Sequence, residues 1–134
     1  MAGYSGKPLV EKLGIKAGSS IAIVGAPKGY DRLLGTLPKQ VSRIRGVRGS
    51  LDFIQFFTKE KQELERRVAA LARALAPAGM LWISWPKQSS GVATDLTEDV
   101  IRRVGLGHGL VDVKVAAVDD VWSGLKFVRR LKDR

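Results

Sequence analysis

Apolar positions fall in short runs separated by glycine, proline and charge, and their period changes from run to run. Leu9, Val10 and Leu13 stand at i, i+1 and i+4, which predicts a brief helix over 8–13 with Ser5 or Gly6 available to cap it. The two glycines of LGIKAGSS break it. Ile21 to Val24 is nearly all apolar between Ser20 and Gly25, the pattern of a strand buried on both faces in a parallel sheet covered by helices. A short helix over Tyr30 to Leu37 is predicted to stop at Pro38, whose ring disfavours helix at the residue before it. LDFIQFF, Leu51 to Phe57, reads as a second buried strand, and Thr58 stands where it can cap a helix starting at Lys59. That helix carries the clearest stripe in the chain, Leu64, Val68, Leu71 and Leu75.

Ala76-Pro77-Ala78-Gly79 is predicted to end this helix and Met80 to Pro86 to form a third apolar strand. Asp95 with Glu98 three residues on resembles a capping box before a helix face of Leu96, Val100, Ile101 and Val104, terminated by Gly105. Val111, Val113 and Val115 alternate on one side, the chain turns at Asp119-Asp120, and Leu125 and Phe127 return on one face as an antiparallel partner. The alternation predicts one α/β domain over 1–134, with residues 1–19 as helix and lead-in. Its architecture is a three-layer Rossmann-like sheet, mostly parallel with a C-terminal antiparallel hairpin and helices on both faces. Lys39 to Ser50 reads as a loop with an optional edge strand. A parallel strand there must cross back within about five residues, less than ~18 Å of extended chain.

Composition narrows the chemistry. The 134 residues are 45% hydrophobic, enough for one core. The apolar runs are too short to span a bilayer, and MAGYSGKPL lacks the apolar segment of a signal peptide, so the expectation is no membrane contact and a cytoplasmic location. Absence of cysteine excludes disulfides, thiolate catalysis and cysteine-ligated metals, and the single histidine, His108, excludes a His-His metal site within one chain; no metal is expected. The net charge of +10 is uneven: +7 over 1–50 (nine basic, two acidic), −1 over 51–100 (six and seven) and +4 over 101–134 (eight and four). A field of that sign attracts nucleic acid or phosphate esters, and also serves solubility.

Three stretches resemble the class I S-adenosylmethionine-dependent methyltransferases: LVEKLGIKAGSSIAIVGAP the helix, glycine break and first strand, LARALAPAGMLWIS the turn into a later strand, and the closing pair their terminal hairpin. WPK at 85–87 with VDDVWSGLKFV at 118–128 resembles an uncharacterised bacterial family, domain of unknown function 3052, which implies no activity. The methyltransferase resemblance implies S-adenosylmethionine, a glycine-rich loop after the first strand, and an acid closing the second strand to hold ribose hydroxyls. Here the loop is Gly25-Ala26-Pro27-Lys28-Gly29, in which proline removes a donor, and the segment before Leu51 has no room for two further strand–helix units. From the residues no cofactor is expected, and S-adenosylmethionine is the one the resemblance implies.

Ligands of open parallel sheets bind beyond the carboxyl ends of the strands. That places Gly25, Lys28, Tyr30, Asp31, Lys87, Asp119, Asp120, Trp122 and Ser123 at one expected cleft, with lysines for an anion, acids for hydroxyls or a cation, and an indole for stacking. Each has a structural reading beside the functional one: tight turns for the glycines, hairpin chemistry for Asp119-Asp120, a core plug for Trp122, solvation for Lys87 and a loop for His108. Lys39, Arg43, Arg45 and Arg48 form a basic run able to contact a polyanion through charge alone. The leading expectation is a non-enzymatic binding or regulatory module for a small anionic ligand or protein partner. A divergent methyltransferase and a basic nucleic-acid-binding domain are the alternatives, and a homodimer is expected to cover the exposed edge of the first strand.

Overall fold

The computed structural model describes residues 7–134; the capping positions expected at Ser5 and Gly6 lie outside them. One six-stranded sheet in the order β2-β1-β3-β4-β6-β5 organises the chain: β1 Ser20–Val24, β2 Ser42–Arg43, β3 Leu51–Phe57, β4 Leu75–Pro86, β5 Leu110–Ala117 and β6 Trp122–Arg129. The first four strands are parallel, β6 runs antiparallel to β4 and β5 antiparallel to β6, so β5 again points with the parallel set. Helices α1 (Leu9–Leu13) and α2 (Tyr30–Leu34) pack on one face, α3 (Lys61–Arg73) and α4 (Glu98–Gly107) on the other. This is the expected α/β sheet with its C-terminal hairpin.

Two apolar layers follow from strand alternation. Ile54, Phe56, Leu81, Ile83, Leu125 and Phe127 meet the α3 stripe of Leu64, Val68 and Leu71, while Ile21, Phe53, Phe57, Trp82 and Trp122 meet α1 and α2. The α3 stripe is fully buried, as its spacing requires. Its expected fourth member, Leu75, belongs instead to β4. Leu51 already pairs with Leu75 and donates its N–H to Ala74 O at 2.7 Å, and the residues before Met80 are absorbed by a register shift rather than forming a helix-ending turn.

Other boundaries moved for identifiable reasons. The helix from Tyr30 stops at Leu34, three residues short of the expected end, because Gly35 takes φ 80°, ψ −157°, a conformation suited to glycine. The optional strand exists as β2, two residues parallel to β1. The α3 helix starts at Lys61, not Lys59, and its first N–H is capped by Asp95 Oδ1 at 2.8 Å from across the sequence. Thr97, not Asp95, therefore caps α4, accepting from Val100 N. Gly105 does not end α4; it lies within it, where Phe127 packs against the helix. The alternation of β5 is broken by an irregularity between Asp112 and Lys114, which leaves Val113 and Val115 exposed rather than on a buried face.

Candidate functional site

The carboxyl ends of β1 and β3 meet at the glycine turn. Gly25 has φ +72°, and a Cβ on it would stand 2.8 Å from Phe57 O, so glycine is required for β1 to leave the sheet this close to β3. Gly29, also left-handed, starts α2 and turns Tyr30 inward. The Tyr30 hydroxyl donates to Gln55 Oε1, and Gln55 Nε2 donates to Ser84 Oγ at 3.2 Å, a polar chain crossing three elements with Gln55 and Ser84 fully buried. Burial pushes the Tyr30 phenol well above its ordinary value, which keeps its proton on the oxygen as a donor. Tyr30 meets Phe57 edge-on at 4.8 Å between centroids, and Phe57 meets Trp122 at 5.1 Å. These three rings form the floor of the carboxyl edge.

Beside this floor opens a cleft of about 920 Å³. Gly25, Pro27 and Lys28 line it from the glycine turn, Phe57 to Glu60 and Glu63 from the β3–α3 junction, Ala93 to Asp95 from the loop before α4, and Trp122 from β6. Much of this wall is internally bonded. Asp95 caps α3, Thr94 Oγ1 donates to Lys59 O at 2.6 Å, and Thr58 Oγ1 donates to Glu63 Oε1. Lys28, Lys59 and Glu60 have no side-chain hydrogen bond or ion pair among the described residues, and they give the cleft two ammonium groups and a carboxylate for a ligand.

Of the residues expected at one cleft, Gly25, Lys28 and Trp122 line this one. Lys87 and Ser123 line a separate cavity of about 210 Å³ with Trp85, Leu96 and Glu98. Tyr30 is in the floor, and Asp31 is exposed on the first turn of α2, where its carboxylate pairs with Arg43 at 2.9 Å. Asp119 Oδ1 holds the hairpin turn, accepting from Val121 N at 2.9 Å and Trp122 N at 2.7 Å, while Asp120 is exposed. Lys39, Arg43, Arg45 and Arg48 are exposed along and beside β2. In the basic C-terminal stretch, Arg129 is structural: its guanidinium donates to Ala72 O at 2.7 Å and Leu75 O at 2.6 Å, neutralising the carbonyl end of α3. Lys59, Glu60 and the loop at 93–95 were not legible as site residues. The available signal was Thr94-Asp95, whose capping chemistry serves α3 rather than the helix that follows it.

The second strand closes on Arg43 instead of an acid. Asp31 is the only acidic residue between Glu11 and Asp52, and the Arg43 ion pair holds it at that end of the sheet.

Solved structures of similar fold include S-adenosylmethionine-dependent methyltransferases. The chain is similar to magnesium protoporphyrin IX methyltransferase from Synechocystis with bound SAH (TM-score 0.62, 15% identity, 91% of this chain and 78% of that one). It is also similar to a SAM-dependent methyltransferase from Aquifex aeolicus (0.62, 15%, 89% and 86%) and a putative methyltransferase from Thermoplasma acidophilum (0.59, 11%, 92% and 75%). At these identities the likeness is one of fold: the sheet is the Rossmann-like sheet of that class. No family model matches the chain, including for the resemblance at 85–87 and 118–128, and no curated protein matches it by sequence. No helix among the described residues is long and apolar enough to cross a membrane.

Proposed function

We propose that this protein binds S-adenosylmethionine or S-adenosylhomocysteine in the cleft between the glycine turn and the start of α3, as a divergent member of the methyltransferase class. The observation that carries the reading is the cleft itself, lying across the carboxyl ends of β1 and β3 with three uncommitted charges of both signs. A zwitterionic amino-acid end needs that combination, and about 920 Å³ is within the usual range for a cofactor site. Support over the cofactor-free module expected from the sequence comes from the fold's neighbours, among them magnesium protoporphyrin IX methyltransferase with bound SAH and with bound SAM.

The charged and apolar lining residues fit the amino-acid end of the cofactor. Lys28 and Lys59 are placed for its carboxylate and Glu60 for its ammonium; Phe57 and Trp122 supply the apolar floor. Asp31 lies outside the cleft lining and is paired with Arg43, so no acid at the end of the second strand is assigned to the cofactor. When bound, S-adenosylmethionine supplies an electrophilic methyl group. The chain's own contribution is to bind and orient.

A second reading, ligand holding without transfer, is favoured by the scarcity of free bases in the cleft, since the one uncommitted carboxylate is the one assigned to the cofactor's ammonium. No histidine lines the cleft, Glu63 is engaged by Thr58 and Asp95 by Lys61 N, leaving Glu60 as the one uncommitted carboxylate. Calorimetric titration and thermal denaturation with both compounds test the proposal. At a hundredfold excess over Kd the stabilisation is about 2.7 kcal/mol, a rise in Tm of roughly 10 °C for a chain of this size. Glu60→Gln and Lys28→Ala should each weaken binding. Absence of heat and of any shift would refute it, while binding without transfer of a labelled methyl group to acceptors in cell extract would select the second reading.

A further inference from the structure

The α1 side of the hairpin half of the sheet carries a group of lysines that the cleft does not use. Trp82 of β4 is paired with Lys126 of β6, and Lys126 with Lys114 of β5, so the three form one row across adjacent strands. Opposed residues share a face of the sheet, and the Trp82 indole donates to Leu13 O at 2.9 Å, which turns the row toward α1. Lys12 and Lys16 reach the same region from α1 and the turn after it, and Lys87 from the end of β4. Lys16, Lys87, Lys114 and Lys126 form no ion pair among the described residues.

Burial and mutual proximity disfavour the charged form of two of them. Burial first, then Lys114 and Lys16, lowers the affinity of Lys126 for its proton, and burial with Lys114 and Lys87 does the same at Lys12. The opposite face behaves differently: Arg102 there gathers Glu98, Asp99 and Asp112 into one network. Like charges left together on a half-buried surface oppose folding unless a polyanion neutralises them.

We propose that this lysine face, Lys12, Lys16, Lys87, Lys114 and Lys126, binds the phosphate backbone of nucleic acid. The face offers positive charge, and its aromatic members, Trp82 and Trp122, are buried. A protein partner would be expected to add a buried aromatic or arginine anchor, and a membrane an exposed apolar wedge. What the row can read is charge, the sequence-independent term of nucleic-acid binding. The inference goes beyond the cofactor reading and stands without it, since none of the five lysines lines the cleft.

Fluorescence anisotropy with labelled short single strands and duplexes, titrated across salt, tests it. Five lysine–phosphate contacts on a single strand give a log–log salt slope of about −3.5, a loss of roughly 130-fold in affinity between 50 and 200 mM salt. In the Lys114→Gln, Lys126→Gln double variant the slope should fall to about −2, a loss of roughly 20-fold over the same range. The variant should melt no lower than the parent, because repulsion is removed. The proposal is overturned by no binding at the lowest salt, by an unchanged slope in the double variant, or by loss of binding only when Lys39, Arg43, Arg45 and Arg48 are replaced. Equal affinity for polyglutamate or for phosphatidylserine vesicles also overturns it.

Discussion

Gly105 lies in the last turn of α4 with helical backbone, where an alanine would ordinarily strengthen the helix by up to about 1 kcal/mol. Its surroundings reverse that sign. A Cβ at this position would stand 2.1 Å from Cε1, 2.5 Å from Cζ and 2.7 Å from Cδ1 of Phe127. Phe127 is fully buried between Leu81 across the strand pair and the helix, so the ring has no space into which to turn. Relief must come from moving α4 off the sheet, and overpacking of this kind costs typically about 1–3 kcal/mol, here near the upper end because three ring atoms conflict at once. Subtracting the propensity gain of about 1 kcal/mol leaves Gly105→Ala destabilised by roughly 2 kcal/mol. Gly107, in the last turn of the same helix, has nothing within 4 Å of its Cβ position, and Gly107→Ala should be neutral or stabilising. Guanidinium denaturation of both variants, with Phe127→Leu as a partner to Gly105→Ala, measures the clash as a coupling energy. A Gly105→Ala protein as stable as the parent would refute the packing argument.

Three further outcomes follow from the same structure. Tyr30→Phe strands the buried Gln55 Oε1 and should cost about 1–3 kcal/mol in chemical denaturation, whereas the loss of an exposed hydroxyl would cost almost nothing. Asp95→Ala removes the cap on Lys61 N and should cost about 1 kcal/mol while increasing hydrogen exchange at the first turn of α3, which forms one wall of the cleft. The hydrogen bond from Arg102 holds the Asp112 carboxyl below its ordinary value, so its stabilisation is complete above the unfolded pKa of about 3.8 and is lost as pH falls through the lower folded value. Tm should therefore drop below about pH 4, and less steeply in Asp112→Asn.

The layers of this fold were legible because burial enforces period. Leu64, Val68 and Leu71 had to share a helix face, and the runs at 21–24, 51–57 and 80–86 could only be buried strands. The misread boundaries are those decided by distant partners. Leu75 continues the helical stripe by spacing, yet Leu51 recruits it into the sheet. Asp95 has the local signature of a cap and serves a helix 34 residues earlier. Gly105 resembles a stop signal because the reason for glycine there is Phe127, 22 residues downstream, which no local pattern reveals. For the site, the glycine turn and Trp122 were legible, since sheet topology places them. Lys59, Glu60 and the loop at 93–95 were not, because only the packing of α3 against that loop brings them to the same cleft.

Occupation of that cleft is tested residue by residue by a heteronuclear NMR titration of the protein with S-adenosylhomocysteine. The prediction is saturable movement of the amide signals of Gly25, Lys28, Thr58, Lys59, Glu60 and Asp95, with those of Lys114 and Lys126 unmoved. Unchanged spectra at millimolar ligand, or movement confined to residues outside the cleft, would contradict it.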